Sequence, residues 1–203
     1  MRSLGCYIVR VANKYKEFAD TKNSDVKILK DTTIADTFDA IREGEIVALP
    51  MDCESQCNIG DLLLFHHNII YEQIMLGKRV VSDYCVDEVN GLYQVPIGLG
   101  YGYYSKGIFN ALEGYVFVEP VPYPDSGSII NPNQPKEVKQ VGIVRYGCKE
   151  LEELGIVVGD TIIFSPYSEY PYQINRVKLY RMKVKDIQAK WDGNGTLPNI
   201  NLV

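Results

Sequence analysis

The residues best equipped for chemistry are His66 and His67, the pair Cys53-x-x-x-Cys57, and the run Gly98-Leu-Gly-Tyr-Gly102. Two histidines suggest a metal. Neighbours on an extended chain point to opposite faces, so this pair does not converge on one ion. The cysteine spacing lies in the loose zinc range, but no second cysteine pair follows it. The glycine run opens no predicted helix and so makes a poor phosphate cradle. No Ser-His-Asp order, P-loop or Gly-x-Gly-x-x-Gly occurs. The chain reads as a non-enzyme, with no catalytic residue, no metal site and no cofactor.

Composition points the same way. The 203 residues carry 21 basic and 26 acidic side chains, a net charge of −5. A general nucleic-acid binder would carry a basic footprint, so nucleic acid is not an expected partner. No run of 18 apolar residues occurs, and residues 1–12 lack a continuous apolar segment, so neither a membrane span nor a signal peptide is expected. Five cysteines without framework spacing read as reduced thiols in a cytoplasm.

The elements that would position any site are strands. Tyr7–Val11, Glu45–Leu49, Asp61–Phe65, Tyr93–Val95, Tyr115–Val118, Gly142–Arg145, Thr161–Phe164 and Lys178–Met182 are short β-branched or aromatic runs bounded by Gly, Pro, Asn and Asp. They predict an all-β fold, a barrel or sandwich in each half. Helix is expected only at Thr33–Arg42 and, for one turn, at Lys149–Leu154. Gly60-Asp61 and Gly159-Asp160 lie 99 residues apart, and Gly44 and Gly142 lie 98 apart. Matching spacing between matching strands predicts an internal repeat. The expected domains are 1–105 and 106–190, with a turn at Ser105-Lys-Gly107 linking them and a flexible tail over 191–203.

Each Gly-Asp step predicts a tight turn, with Gly supplying positive φ and Asp bonding N–H groups ahead of it. The apolar runs that follow predict strands buried on both faces, with Phe65 and Phe164 equivalent in the core. Pro120–Gln140 is proline-dense and predicts a long loop, inside which Ile129-Ile130 is an isolated apolar step. Ala12–Asp36 is the matching stretch in the first half, with Val26, Ile28 and Leu29 among charges. Such segments either order on a partner or pack back on their own barrel.

In order along residues 113–190, the second half resembles the GroES-type co-chaperonins, the chaperonin-ten family. The resemblance is carried by Tyr115–Glu119, the loop step Ser126-Gly-Ser-Ile-Ile-Asn, Asn131-Pro-Asn-Gln-Pro-Lys-Glu137, Gly142-Ile-Val-Arg-Tyr-Gly147, Ile156-Val-Val-Gly-Asp-Thr-Ile-Ile-Phe164, and a closing strand Leu179–Ile187 that ends in Asp-Ile. Residues 5–104 keep the frame more loosely: Val26-Lys-Ile-Leu-Lys-Asp31 stands at the loop motif without its glycines. The tandem arrangement resembles divergent co-chaperonins of phages or bacteria and the double forms of chloroplasts.

The resemblance implies two tandem GroES-like small antiparallel β-barrels, assembled as a homo-oligomeric ring in a bacterial or phage-infected cytoplasm. It implies a GroEL-type chaperonin as partner and an unfolded protein as client, with nucleotide belonging to the chaperonin. Carried over by position, the chaperonin-binding residues are Gly127, Ser128, Ile129, Ile130 and Asn131, with Val26, Ile28 and Leu29 as counterparts in the first half. Asn131 stands where a large apolar residue is usual, which implies weaker or partner-specific docking. The connections Pro50–Asn58 and Cys148–Gly155 are too short for the family's roof hairpin, which implies a reduced roof. Tyr167, Tyr170, Tyr172 and Tyr180 would line a client-facing surface or pack as ordinary strand residues. The alternative reading is a structural protein of a phage particle or other assembly that reuses the barrel.

Overall fold

The computed structural model describes residues 3–12, 18–20, 27–29, 41–75, 78–122 and 137–193. Strand dominates these residues, and their sole α-helix is α1 (Lys149–Glu153). The chain divides into two compact units, Met1–Phe109 and Asn110–Val203.

In the first unit the strands are β1 (Cys6–Arg10), β2 (Phe18–Asp20), β3 (Lys27–Leu29), β4 (Glu43–Ala48), β5 (Leu62–Phe65), β6 (Gln73–Met75), β7 (Lys78–Val80), β8 (Cys85–Asp87), β9 (Leu92–Pro96), β10 (Gly100–Ser105) and the start of β11 (Ile108–Ala111), which runs across the boundary. The main sheet has the order β11-β10-β5-β4-β1-β9-β8, while β2-β3 and β6-β7 are separate ribbons. The second unit contains β12 (Tyr115–Pro122), β13 (Glu137–Tyr146), β14 (Thr161–Phe164), β15 (Tyr170–Ile174), β16 (Val177–Lys183) and β17 (Ile187–Trp191). Its antiparallel sheet has the order β15-β16-β12-β13-β14-β17. That order is the same as β8-β9-β1-β4-β5-β10 in the first unit.

The correspondence extends to single hydrogen bonds. Ile46 N donates to Asp61 O and Gly60 N to Ile46 O, each at 2.8 Å. Val144 N donates to Asp160 O and Gly159 N to Val144 O, each at 2.9 Å. Gly60 and Gly159 turn at φ 92° and 97°, a region open to glycine at little cost. The Asp carboxylates reach back rather than ahead: Asn58 N donates to Asp61 Oδ2 and Val157 N to Asp160 Oδ2, both at 2.8 Å. The turn curls its preceding residue over the carboxylate, so that N–H is the nearest donor. Phe65 and Phe164 close the following strands, and both are buried.

Burial in the second unit follows the sheet's period. Val116, Val118, Val144, Ile162, Phe164, Met182 and Val184 form one cluster with Cys148, Leu151 and Ile156 from the connection after β13. Leu62–Phe65 is buried through Leu63, Leu64 and Phe65, as its apolar run predicts. Thr161–Phe164 instead alternates: Ile162 and Phe164 are buried, and Thr161 and Ile163 are half-exposed. An apolar run alone does not distinguish these two cases.

Other expectations need adjustment. β12 and β13 extend into the proline-dense stretch, reaching Pro122 and starting at Glu137. The prolines are tolerated because β16 pairs with β12 only as far as Val118, so the missing N–H groups beyond it break no ladder on that side. The Ser105-Lys-Gly107 turn closes the hairpin between the adjacent strands β10 and β11, with Lys106 and Gly107 at φ 50° and 80°. The chain continues past Asp186-Ile187 into β17, a strand with exposed Gln188 and Lys190 and therefore weak alternation. Of the predicted helix Thr33–Arg42, residues 33–40 lie outside the described residues, and Ile41 and Arg42 are irregular. Lys149–Glu153 is the expected single turn.

Candidate functional site

The structural question about the segment expected to dock is how the sheet holds its two ends. Gly127, Ser128, Ile129, Ile130 and Asn131 lie outside the described residues, as does Val26. Ile28 and Leu29 fall on β3, where they pair with Ala19 and Phe18 of β2. The first-unit stretch therefore contains a small ribbon where the sequence reading has loop. In both units the stretch joins the same two neighbouring strands, β1 to β4 and β12 to β13.

On the second unit, residues 123–136 are bracketed by Pro122 and Glu137, which face each other across the β12–β13 ladder. Glu137 is tied to β16. Lys178 Nζ donates to Glu137 Oε1 at 2.7 Å and to the Tyr180 hydroxyl at 2.9 Å. The Tyr180 hydroxyl donates in turn to Glu137 Oε2. Lys178 and Tyr180 lie two apart on β16 and so share a face. Partial burial pushes the Glu137 carboxyl up, but the Lys178 and Tyr180 hydrogen bonds outweigh it and hold the group below the usual range. The Glu137 hydrogen bond raises Lys178. Burial and then Glu137 raise Tyr180.

Three residues further on, Gln140 is buried and adopts φ 60°. Such a conformation is uncommon for a residue with a Cβ. Its side-chain amide Nε2 donates to Phe164 O at 3.2 Å on the neighbouring strand. The β12–β13 register shifts between Pro120 and Pro122, opposite this point. The strained residue and the register shift together form a bulge that bends β13 as it leaves the segment. Sequence reading missed both Gln140 and Glu137. Glu137 enters the sequence reading only as the end of the Asn131–Glu137 stretch and Gln140 not at all, because the bulge is a property of the ladder.

The two connections where the resemblance implies a reduced roof are compact. Cys148–Gly155 carries α1, whose Leu151 is buried in the core, and Glu150 N donates to Glu113 Oε1 at 2.7 Å. In Pro50–Asn58, Met51 N donates to Ser3 O at 2.9 Å and Gly5 N to Asp52 Oδ1 at 2.7 Å. Cys57 is buried there, with its thiol pushed up to about 12 by desolvation. Cys53 is exposed.

The residues set aside as chemical candidates have ordinary surroundings. His66 and His67 do not point to opposite faces as expected: β5 ends at Phe65 and a 3-10 turn spans His67–Ile69, so the two rings stack at 4.3 Å, and His66 Nδ1 accepts from Asn68 N at 3.2 Å. Among the described residues, Glu113, Cys148 and Glu150 form the group with metal-ligand spacing, and it is exposed apart from the cysteine. Tyr172 is buried against Phe117, Tyr170 and Tyr180 are half-buried, and Tyr167 is fully exposed at the β14–β15 turn. The tyrosines thus divide between packing and surface. No helix among the described residues is long and apolar enough to cross a membrane.

Comparison with known proteins adds one positive finding. No curated protein matches the chain. Residues 109–191 match the family model described as Chaperonin 10 Kd subunit. This match spans β12 through β17 and the segment between β12 and β13, so the second unit is similar to that family.

Proposed function

We propose that the chain is a co-chaperonin that caps a GroEL-type chaperonin and assists ATP-dependent folding without catalysis of its own. The observation that carries this reading is the family match over residues 109–191. The common strand order of the two units supports two GroES-like β-barrels in tandem, with boundaries near 1–105 and 106–190. The chains assemble into a ring in the cytoplasm and enclose an unfolded client. Residues 127–131 enter a groove on the chaperonin, with Ile129 and Ile130 supplying the apolar contact. Val26, Ile28 and Leu29 play the same part in the first unit. Burying an isoleucine contributes roughly 1.5–3 kcal/mol. Ordering a segment on binding offsets part of that. Single contacts are thus weak, and a ring gains capture strength by engaging several at once.

The test is co-sedimentation with a GroEL-type chaperonin in the presence of ATP or ADP, with mass measurement of the free oligomer. The reading predicts nucleotide-dependent capture by a chaperonin and a ring-sized free assembly. An assembly that no chaperonin captures, including that of the native host, would replace it with the structural-protein reading.

A further inference from the structure

We infer that Glu137 and Gln140 are positioning residues for the docking segment, and that Lys178 and Tyr180 act through Glu137 to fix where the chain leaves the sheet. This inference rests on the co-chaperonin reading for its purpose, but not for its structural part.

Two independent features meet at this strand end. The first is the bulge. Gln140 takes a positive φ while buried, and donates to the Phe164 carbonyl. Its side chain thereby ties the bend to β14. The second is the clasp. Beyond the bend, β13 has three residues before the segment begins, Glu137, Val138 and Lys139. Glu137 faces Pro122, which has no N–H to give to the ladder. Lys178 and Tyr180 supply the missing tether from β16, using both carboxylate oxygens of Glu137. A carboxylate held through both oxygens has a fixed direction as well as a fixed position.

This matters for docking because a tethered end fixes where the segment joins the sheet. Each residue released from a fixed conformation must be ordered again on binding. The clasp lowers that cost and keeps the segment's departure direction constant between copies, so several segments reach the partner together. The Lys178 side chain is 54% exposed. The expected effect is therefore at the modest end for ion pairs.

The experiment compares Glu137→Gln, Lys178→Glu and the swap Glu137→Lys/Lys178→Glu in the full chain, with two readouts. The first is amide exchange at Val138 and Lys139 in the free protein. It is expected to rise about two- to fivefold in each single variant, and to return towards the parent rate in the swap, while exchange in β14 and β16 is unchanged. The second is capture by a GroEL-type chaperonin, expected to weaken in the single variants and recover in the swap. Unchanged exchange at Val138 and Lys139 in the single variants overturns the clasp, whatever the binding result. Faster exchange with undiminished capture overturns its positioning role. If the parent binds no chaperonin, the co-chaperonin reading fails, and with it the docking purpose; the exchange data then still decide the clasp.

Discussion

Gly142→Ala tests the packing of the sheet at a position where a single methyl group matters. Gly142 sits on β13 opposite Pro120. A Cβ there would lie 2.8 Å from Val118 Cγ2, 3.0 Å from Val118 Cβ and 3.2 Å from Glu119 O. Val118 is fully buried, its χ1 is stiff, and its neighbours Val116, Val144 and Met182 leave it little room to turn. Overpacking of this kind costs about 1–3 kcal/mol. Replacing glycine also restricts the unfolded chain, which returns about 0.4–1 kcal/mol. The net expectation is a loss of about 1–2 kcal/mol. Trp191, the only tryptophan, pairs with Thr161 at the end of the same sheet and reports its unfolding by fluorescence. At a urea slope of about 1–1.5 kcal/mol per molar, the midpoint should fall by about 1 M.

A double-mutant cycle isolates the cause. Val118→Ala alone destabilises, but in its background Gly142→Ala should cost about 1 kcal/mol less than in the parent. If Gly142→Ala leaves the midpoint unchanged, or its cost is the same with Val118 removed, the close approach of β12 and β13 is not as described. Gly159→Ala provides the contrast. It meets nothing within 4 Å but sits at φ 97°, so its cost of about 1–2 kcal/mol is backbone strain and is indifferent to Val118→Ala.

Three further predictions concern ionisable and buried groups. Iodoacetamide should modify exposed Cys53 rapidly at neutral pH and leave Cys57 and Cys148 untouched until the protein unfolds, because burial pushes both thiols up, Cys57 to about 12; early modification of Cys57 by mass spectrometry would contradict this. The stability difference between the parent and Glu137→Gln should be full above the ordinary carboxyl value of 4.5 and shrink as pH falls through the lower folded-state value, and Lys178, raised from 10.5, should hold its contribution until the pH exceeds that value; a difference that widened on acidification would have the wrong sign. Phe164→Ala should cost about 3–5 kcal/mol in calorimetry or urea melts by opening a cavity in the second unit, and a cost below about 1 kcal/mol would show that Phe164 is not central to that core.

The sequence was most informative where the physics is local. Gly60-Asp61 and Gly159-Asp160 announce their turns because few other residue pairs combine positive φ with a short acceptor, and their spacing matched the two sheets before any strand was placed. Strands at or next to a sheet edge were harder to read. Tyr170–Ile174 contains Pro171, Gly100–Ser105 contains two glycines counting its first residue, and Ile187–Trp191 alternates poorly. Each is specified by the neighbour it pairs with rather than by its own pattern. The candidate docking step at Ile129-Ile130 was visible as an apolar pair in a polar stretch. Its support at Glu137 and Gln140 was not, because Glu137 acquires a role only when the register places Lys178 and Tyr180 beside it.

The most direct test of the co-chaperonin account is capture by a GroEL-type chaperonin, in ATP or ADP, of the parent and of Ile129→Ser/Ile130→Ser, with Trp191 fluorescence confirming that the second unit of each is folded. Removing two isoleucines takes away roughly 3–6 kcal/mol of gross contact per chain. Avidity multiplies that loss across a ring. The account predicts nucleotide-dependent capture of the parent and none of the folded double variant. Equal capture of both would contradict the placement of docking at these residues, and no capture of the parent by its own host's chaperonin would contradict the co-chaperonin function itself.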